Sequence, residues 1–316
     1  GNYIEQSLDV KLNEGNILGI TEFKLFLPYA RNGTNEIFTT TLLSKFDILA
    51  PRSFLFQTII NDLPSKMIFQ EKINKEFLEF NNRKEGPLLE GDEEIIWSLG
   101  VEQDESYFKR YETISLGRLI NSKWSLKNES NMFISKKSLE NLQEIYLKYG
   151  YKKSIKDEIN LILDYNKLSN NNSQLYSNWL IYELLIMSLN ADHALRPHNR
   201  KFYWNIFYSG FEPIYYDGNP QVNNICSPNG IDIKKTRLLN FDVIKYSSVL
   251  ENHIFLKIQN KLEKLKKNKK FLNELNFKTG LEEKEILEKI NKIKDNNLCL
   301  KKYFNNQLII ENNEKD

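Results

Sequence analysis

The middle of this chain reads NADHALRPHNRKFY at residues 190–203 and PIYYDGN at residues 213–219. Together these stretches hold its densest set of reactive side chain types, including two of the three histidines. An apolar helical pattern at residues 175–189 comes before them, and residues 201–208 and 211–216 predict a short hairpin. The predicted order is a helix, a loop with an acid and an amide, a hairpin and an Asp-Gly turn.

This order of groups suits phosphoryl transfer from a nucleotide to a hydroxyl. The Mg²⁺ that accompanies ATP prefers oxygen ligands, and the acceptor hydroxyl needs a carboxylate that orients it and takes its proton. Asp192 is predicted to be that general base. Asn199 and Asp217 are predicted to be the magnesium ligands.

Composition excludes several other classes of protein. The 316 residues are 41% hydrophobic and 27% charged, which is typical of a folded chain with one large or two modest domains. Lysine and arginine number 44 against 42 acidic residues, so a protein that mainly coats nucleic acid is not expected. No apolar run approaches the roughly 18–20 residues that cross a bilayer. Cys226 and Cys299 are too few for a disulfide framework or a four-cysteine zinc site.

The first 80 residues predict a small lobe that mixes strands with a helix. Residues 22–27 alternate as a strand does, and residues 53–61 and 66–73 predict an antiparallel hairpin that turns at residues 62–65. Residues 35–46 have helical spacing. The acidic residues 85–94, which include two glycines and a proline, predict a loop.

Most of the remaining chain is predicted to be helical. Residues 138–148 and 155–167 each carry an apolar face, and the tail after residue 249 predicts helices that are separated near Thr279 and Gly280. The chain is therefore expected to be an α+β protein, with a partly β lobe at residues 1–80, a larger helical lobe at residues 81–250 and a helical C-terminal extension at residues 251–316.

Six short stretches between residues 20 and 219 are distinctive in combination. They are FKLFLP at 23–28, ARNGTNEIF at 30–38, LAPRS at 49–53, IFQEKINKEFLE at 68–79, DHALRPHNRKFY at 192–203 and PIYYDGN at 213–219. In these stretches the chain resembles the CotH-type kinases, an atypical kinase family named for a spore-coat protein. The resemblance implies a protein-kinase-like fold of two lobes and ATP- and Mg²⁺-dependent phosphorylation.

The resemblance also implies roles for side chains in the small lobe. Lys24, in the middle of its predicted strand, would hold the α- and β-phosphates of ATP. Glu36, in the first turn of the next helix, would pair with Lys24. Arg31 is a rival for the phosphate contact.

The connection between the two lobes follows from the same resemblance. The strand at residues 69–73 would join the lobes, and the backbone of Gln70, Glu71 and Lys72 would meet the adenine edge. Arg200 would flank the phosphates.

Two other functions stay open on the sequence alone. No Gly-x-Gly-x-x-Gly loop precedes Lys24, and Asn199 follows Asp192 by seven residues, where protein kinases have five. The missing glycine loop favours a catalytically inactive kinase-like module that holds nucleotide, or nothing, and assembles coat or envelope components. The third hypothesis is a metal-dependent hydrolase that uses His193 and His198 as ligands. These histidines are five residues apart, a spacing that does not put both on one face of a helix.

The partners are less defined than the chemistry. The expected ligands are ATP and a hydroxyl acceptor, which can be a protein serine or threonine or a carbohydrate, and no nucleic acid is expected. The chain begins at Gly1 and not at Met, which predicts a processed N-terminus and leaves the compartment open between cytoplasm and cell envelope. Residues 90–94 and the lysine-rich residues 261–270 are expected to be solvated.

Overall fold

The computed structural model describes residues 6–92, 94, 115–156, 163–227, 230–231 and 252–313. These residues form a mixed α+β structure with two four-stranded antiparallel sheets and one pair of very short strands. The strands are β1 Leu8–Lys11, β2 Glu22–Phe26, β3 Ser53–Ile60, β4 Leu63–Glu71, β5 Leu88–Gly91, β6 Gly117–Leu119, β7 Lys201–Asn205, β8 Gly210–Ile214, β9 Cys226–Ser227 and β10 Gly230–Ile231. The helices are α1 Thr34–Lys45, α2 Lys75–Phe80, α3 Ser122–Ser125, α4 Glu129–Lys156, α5 Tyr165–Leu168, α6 Ser173–Ser188, α7 Asn252–Lys266, α8 Lys269–Thr279 and α9 Glu283–Asn313.

The first sheet has the strand order β1-β2-β4-β3. The predicted β3–β4 hairpin is confirmed, but it turns earlier than expected, at Asn61 and Asp62. Both residues have positive φ, +50° and +63°, which suits a tight two-residue turn because Asn and Asp tolerate the left-handed region. The rings of Phe23, Phe54 and Phe69 stack on one face of the sheet.

Helix α1 covers the other face of this sheet, where Ile37 packs with Phe26 and Ile68. The helix also contacts α8 on its far side, and an ion pair of 2.6 Å joins Lys45 to Glu274. Residues 36–43 are all buried, so this helix has no extended solvent face. That arrangement explains why its sequence, TNEIFTTTLLSK, mixes apolar side chains with threonines and shows no polar stripe.

The second sheet has the order β6-β5-β7-β8, and its strands β8 and β6 contact helices α6 and α4. Its strand β5 falls inside the stretch 85–94, so the prediction of a continuous loop there is wrong. Leu88 and Leu89 are fully buried, and Glu90 pairs in register with Lys201 of β7. The neighbouring Gly and Pro residues are typical of loops, and only the tertiary pairing with β6 and β7 makes this segment a strand.

Gly91 ends β5 at a point where no other residue fits. A Cβ atom at this position would lie 1.8 Å from the carbonyl oxygen of Pro197. We expect Gly91→Ala to lower the free energy of unfolding by about 2 kcal/mol, because the strand or the loop must move apart. Urea denaturation measures this, with Gly86→Ala as the control, since the nearest atom to a Cβ there is Cε2 of Tyr203 at 3.2 Å, which needs only a small movement. Equal losses in the two variants would contradict the close approach.

The helices between β6 and β7 partly match their predictions. Helix α6 confirms the pattern at residues 175–189, and the Asn172 side chain caps it by accepting hydrogen bonds from the backbone of Gln174 and Leu175. The pattern at 155–167 does not form one helix, because α4 reaches only Lys156 and Asp164 caps the separate helix α5. Residues 157–162 lie outside the described residues.

The C-terminal helices α7, α8 and α9 pack against α6, α1 and β3. The predicted break between two of them is confirmed, since Gly280 ends α8 with a φ of +74° and donates its N–H to Asn276. Cys226 and Cys299 form a disulfide with their Cα atoms 6.3 Å apart, which ties β9 to α9. No helix in the described part of the chain has the length and apolar character that crossing a bilayer needs.

Candidate functional site

The loop after α6 and the turn after β8 meet through the side chain of Asn199. Its Nδ2 donates hydrogen bonds to the backbone oxygens of His193 at 3.1 Å, Asp217 at 3.0 Å and Tyr216 at 3.4 Å. Asn199 is nearly buried, so these contacts are protected from water. The two stretches that carry the predicted base and metal ligands therefore lie side by side, with Asp192 buried in the same loop.

Asp217 occupies a strained position at the start of this turn. Its φ of +45° lies in the left-handed region, which non-glycine residues adopt rarely and mostly when their surroundings hold them there. Its carboxylate forms an ion pair with Arg31 and lies 4.0 Å from Nε2 of His193. The side chain is about a quarter exposed, so it can be reached from solvent.

Arg31 brings the N-terminal sheet to this turn. It ends a short 3₁₀ turn, Pro28–Arg31, directly after β2. The guanidinium carbon lies 4.4 Å from the centre of the Phe26 ring and 5.3 Å from that of Tyr216, so aromatic rings hold it in place. Arg31 therefore lies beside Asp217, and its contact with phosphate stays a prediction.

The pair predicted between Lys24 and Glu36 is not formed in this structure. Glu36 is buried, and its two carboxylate oxygens accept hydrogen bonds from Gln70 Nε2 at 3.1 Å and from the Tyr215 hydroxyl at 2.7 Å. Lys24 lies opposite Gln70 in the β2–β4 ladder, so Gln70 occupies the position next to Glu36. Half-buried Lys24 instead lines an open cleft.

Burial raises the pKa of the Glu36 carboxyl above its ordinary value of 4.5, although Tyr215, Arg31 and Gln70 each favour the charged form. A carboxyl that binds its proton more tightly when folded costs stability as pH rises from 4.5 through the folded pKa. We therefore expect the stability of Glu36→Gln relative to wild type to increase over that range.

Thermal melts at several pH values measure this relative stability. Glu140→Gln is the matched control, because Glu140 lies on the surface of α4 with a side chain 64% exposed. Parallel stability curves for wild type and Glu36→Gln would contradict the role of burial.

The cleft beside Lys24 has a volume of about 610 Å³. Its walls are β1, β2, the segment that follows β4, helix α3 and the side chains of Lys201 and Tyr216. Of the described residues, seven lysines and four acids line it, so the lining carries three more positive than negative charges. The lysines are Lys11, Lys24, Lys72, Lys75, Lys123, Lys127 and Lys201. Such a cleft favours an anionic ligand.

The predicted connector, Gln70 to Lys72, forms part of one wall of the cleft. The Glu71 carboxylate is held by Arg52 through two hydrogen bonds of 2.5 and 2.9 Å. The Lys72 ammonium forms an ion pair of 2.7 Å with Asp9. The backbone N–H groups of Glu71 and Lys72 are engaged as well, with the Arg52 oxygen at 3.0 Å and the Glu22 oxygen at 3.1 Å. The contact of this segment with adenine therefore stays a prediction.

Arg200 lies apart from the cleft. It is 2% exposed, and its guanidinium donates to Glu183 at 2.9 Å and to the Leu195 oxygen at 2.7 Å. These contacts attach the loop that carries Asp192 to helix α6. The geometry gives Arg200 a role in holding the loop and no access to a ligand in the cleft.

Two basic residues at the site, Lys201 and Arg118, could not be recognised from the sequence. Lys201 lies between Glu90, with which it forms an ion pair, and the ring of Tyr216, whose centre is 4.3 Å from the ammonium. Arg118 of β6 contacts the same carboxylate at 2.7 Å. These opposite charges lower the pKa of Glu90 in spite of its burial. The alternation in KFYWN marked Lys201 as a strand residue, but its partner β5 had been predicted as a loop.

The site offers few side chains that could ligate a metal ion. Within the described residues, no group of three or more His, Cys, Asp or Glu side chains is arranged to hold a metal. The rings of His193 and His198 lie edge to face, with centres 6.1 Å apart. One carboxylate and one amide oxygen, from Asp217 and Asn199, still fit Mg²⁺, because that ion keeps several waters and takes its other ligands from phosphates.

Comparison with models of known protein families finds no match for this chain, and comparison with curated proteins finds none either. The assignment of function therefore rests on the residues and their geometry.

Proposed function

We propose that this chain is an atypical kinase that transfers the γ-phosphoryl group of ATP to a hydroxyl with the help of Mg²⁺. One observation carries the proposal: Asn199, in the loop with Asp192, donates a hydrogen bond to the Asp217 oxygen, and Tyr216 next to Asp217 lines a cleft with seven lysines. In this reading the first sheet and α1 are the small lobe of a kinase-like fold. The second sheet and the remaining helices are the larger lobe.

The cleft suits a nucleoside triphosphate in size and charge. Its volume of about 610 Å³ lies within the range of small-molecule sites. Lys24 on β2 and Lys201 on β7 both line it, and ammonium groups form charge-assisted contacts with phosphate. The backbone after Gln70 would meet the adenine.

The chemistry then needs little beyond positioning and charge. Bound Mg²⁺ would neutralise part of the charge on the phosphates, and Asp217 and Asn199 are the residues that would hold it. Asp192 accepts the proton of the acceptor hydroxyl as its oxygen bonds to the γ-phosphorus. The bond from that phosphorus to the bridging oxygen breaks, and ADP leaves with the electron pair. The acceptor is a protein serine or threonine or a sugar.

A thermal shift experiment with ATP tests the binding part of the proposal. At about 100 times its Kd, a ligand that binds only the folded state adds about 2.7 kcal/mol to the free energy of unfolding. We expect a rise in Tm with ATP and Mg²⁺ that is smaller with ATP and a chelator. Release of ADP over time measures turnover. Absence of any shift in wild type would refute the proposal.

A nucleotide-binding module without turnover is the second candidate, and the ion pair between Arg31 and Asp217 favours it. In that module the guanidinium takes the place next to Asp217 that Mg²⁺ would need. A shift with ATP that is the same with and without Mg²⁺, together with no release of ADP, would support this second function over the first.

Lys201 provides a test of the orientation of the ligand. We expect Lys201→Met to weaken ATP binding about tenfold, because a charge-assisted contact to phosphate is lost. Calorimetric titration of ATP measures the change. The control is Lys136→Met, which removes an equal charge from the surface of α4, where the side chain is 73% exposed. Equal affinities in the two variants would show that the phosphates lie elsewhere.

A further inference from the structure

The hydroxyl of Tyr215 lies between two parts of the site that are distant in sequence. Tyr215 is fully buried, at 0% exposure. Its hydroxyl donates to Oε2 of Glu36 at 2.7 Å and accepts from the backbone N–H of Gly218 at 3.3 Å. One side chain therefore joins α1 to the turn that carries Asp217.

Tyr215 packs so closely against the turn that position 218 has no room for a side chain. A Cβ atom at position 218 would lie 2.7 Å from both Cε2 and the hydroxyl oxygen of Tyr215. Glycine is therefore required where the ring meets the turn. The residue before it, Asp217, has its backbone at a φ of +45°, a conformation that depends on its surroundings.

The contact continues beyond Glu36 into the first sheet. Gln70 of β4 donates to the other carboxylate oxygen of Glu36 and also to the hydroxyl of Ser53 at 3.3 Å. The buried hydrogen bonds thus run without a break from β4 through α1 and Tyr215 to the turn.

We propose that Tyr215 is a positioning residue that fixes the Asp217–Gly218 turn relative to α1 and so aims the Asp217 carboxylate at the Mg²⁺ of the bound nucleotide. This inference rests on the proposed function. It adds that the position of α1 is transmitted to the metal ligand through a tyrosine, in place of the lysine–glutamate pair that the sequence predicted.

The experiment compares Tyr215→Phe with the matched variant Tyr203→Phe. Tyr203 is also buried, and its hydroxyl donates one hydrogen bond, to the Lys84 oxygen at 2.8 Å, which lies outside the Asp217–Gly218 turn. The first readout is the Mg²⁺ concentration that gives half of the ATP-induced shift in Tm. The second is hydrogen exchange at the Gly218 amide, which needs no nucleotide.

In Tyr215→Phe we expect the half-saturating Mg²⁺ concentration to rise about tenfold, and the Gly218 amide to exchange about tenfold faster, because its acceptor is gone. The shift with ATP and chelator should stay at the wild-type value. Tyr203→Phe should change only the Tm. A Tyr215→Phe variant that matches Tyr203→Phe in both readouts would overturn the proposal.

Failure of the proposed function gives a different result. If wild type shows no shift with ATP, the exchange readout still decides whether Tyr215 holds the turn, and unchanged exchange overturns that as well. If Tyr215→Phe does not fold, Gly218→Ala disturbs the same contact from the other side. Wild-type Mg²⁺ dependence in a folded Gly218→Ala variant would refute the positioning role.

Discussion

We expect Asp217→Asn to remove the Mg²⁺-dependent part of the ATP shift and to lower phosphoryl transfer on the order of a thousandfold. Asp217 is the carboxylate that the turn presents beside Asn199 and Arg31. An amide in its place keeps the size of the side chain but removes the charge that the cation needs. Asparagine also tolerates the φ of +45°, so the backbone of the turn is expected to be retained.

The matched control is Asp62→Asn. Asp62 is exposed in the β3–β4 turn and has a φ of +63°, so the same change is made in the same kind of backbone far from the site. Asp192→Asn should lose turnover and keep the Mg²⁺-dependent shift, because a general base does not bind the metal. Full turnover in Asp217→Asn would show that this carboxylate is not the metal ligand.

The disulfide between Cys226 and Cys299 should contribute about 4 kcal/mol to stability by the chain-entropy model, because it closes a loop of 73 residues. That loop includes α7 and α8 and returns to α9. Urea unfolding with and without a thiol reductant measures the contribution. We expect the midpoint of wild type to fall on reduction to that of Cys226→Ser.

Two comparisons keep this second test specific. The Cys226→Ser variant should not respond to the reductant, since it has no bond to lose. The Asn296 side chain, which donates to the Ser188 and Asn223 oxygens at 2.8 Å, should still hold α9 to the segment after the site. A wild-type midpoint that ignores the reductant would mean that the bond is absent or contributes nothing to stability.

The parts of the site that could be predicted are those that lie close in sequence. A hairpin of ordinary length brings the end of β8 back to the start of β7, so the meeting of Asn199 with Asp217 follows from local pattern. Helix α6 could also be predicted, because nine of the eleven residues 179–189 are apolar or aromatic, and all eleven are buried.

Contacts between distant residues had no such local signal. Tyr215 and Glu36 are 179 positions apart, and nothing in either neighbourhood marks them as partners. The Lys24–Glu36 pair was expected from a resemblance, whereas Gln70 and the tyrosine hydroxyl satisfy the buried carboxylate. Strand β5 was missed for a related reason, because LLEG forms a strand only through neighbours supplied by β6 and β7.

The burial of α1 on both sides bears on how this protein can be divided. Its inner face rests on the first sheet and its outer face on α8, which begins 224 residues after Lys45. A fragment that stops at residue 250 would leave the outer face of α1 bare, together with one wall of α6. Truncating the last three helices would therefore remove part of the core that supports the site. A fragment designed to keep the site must retain these helices.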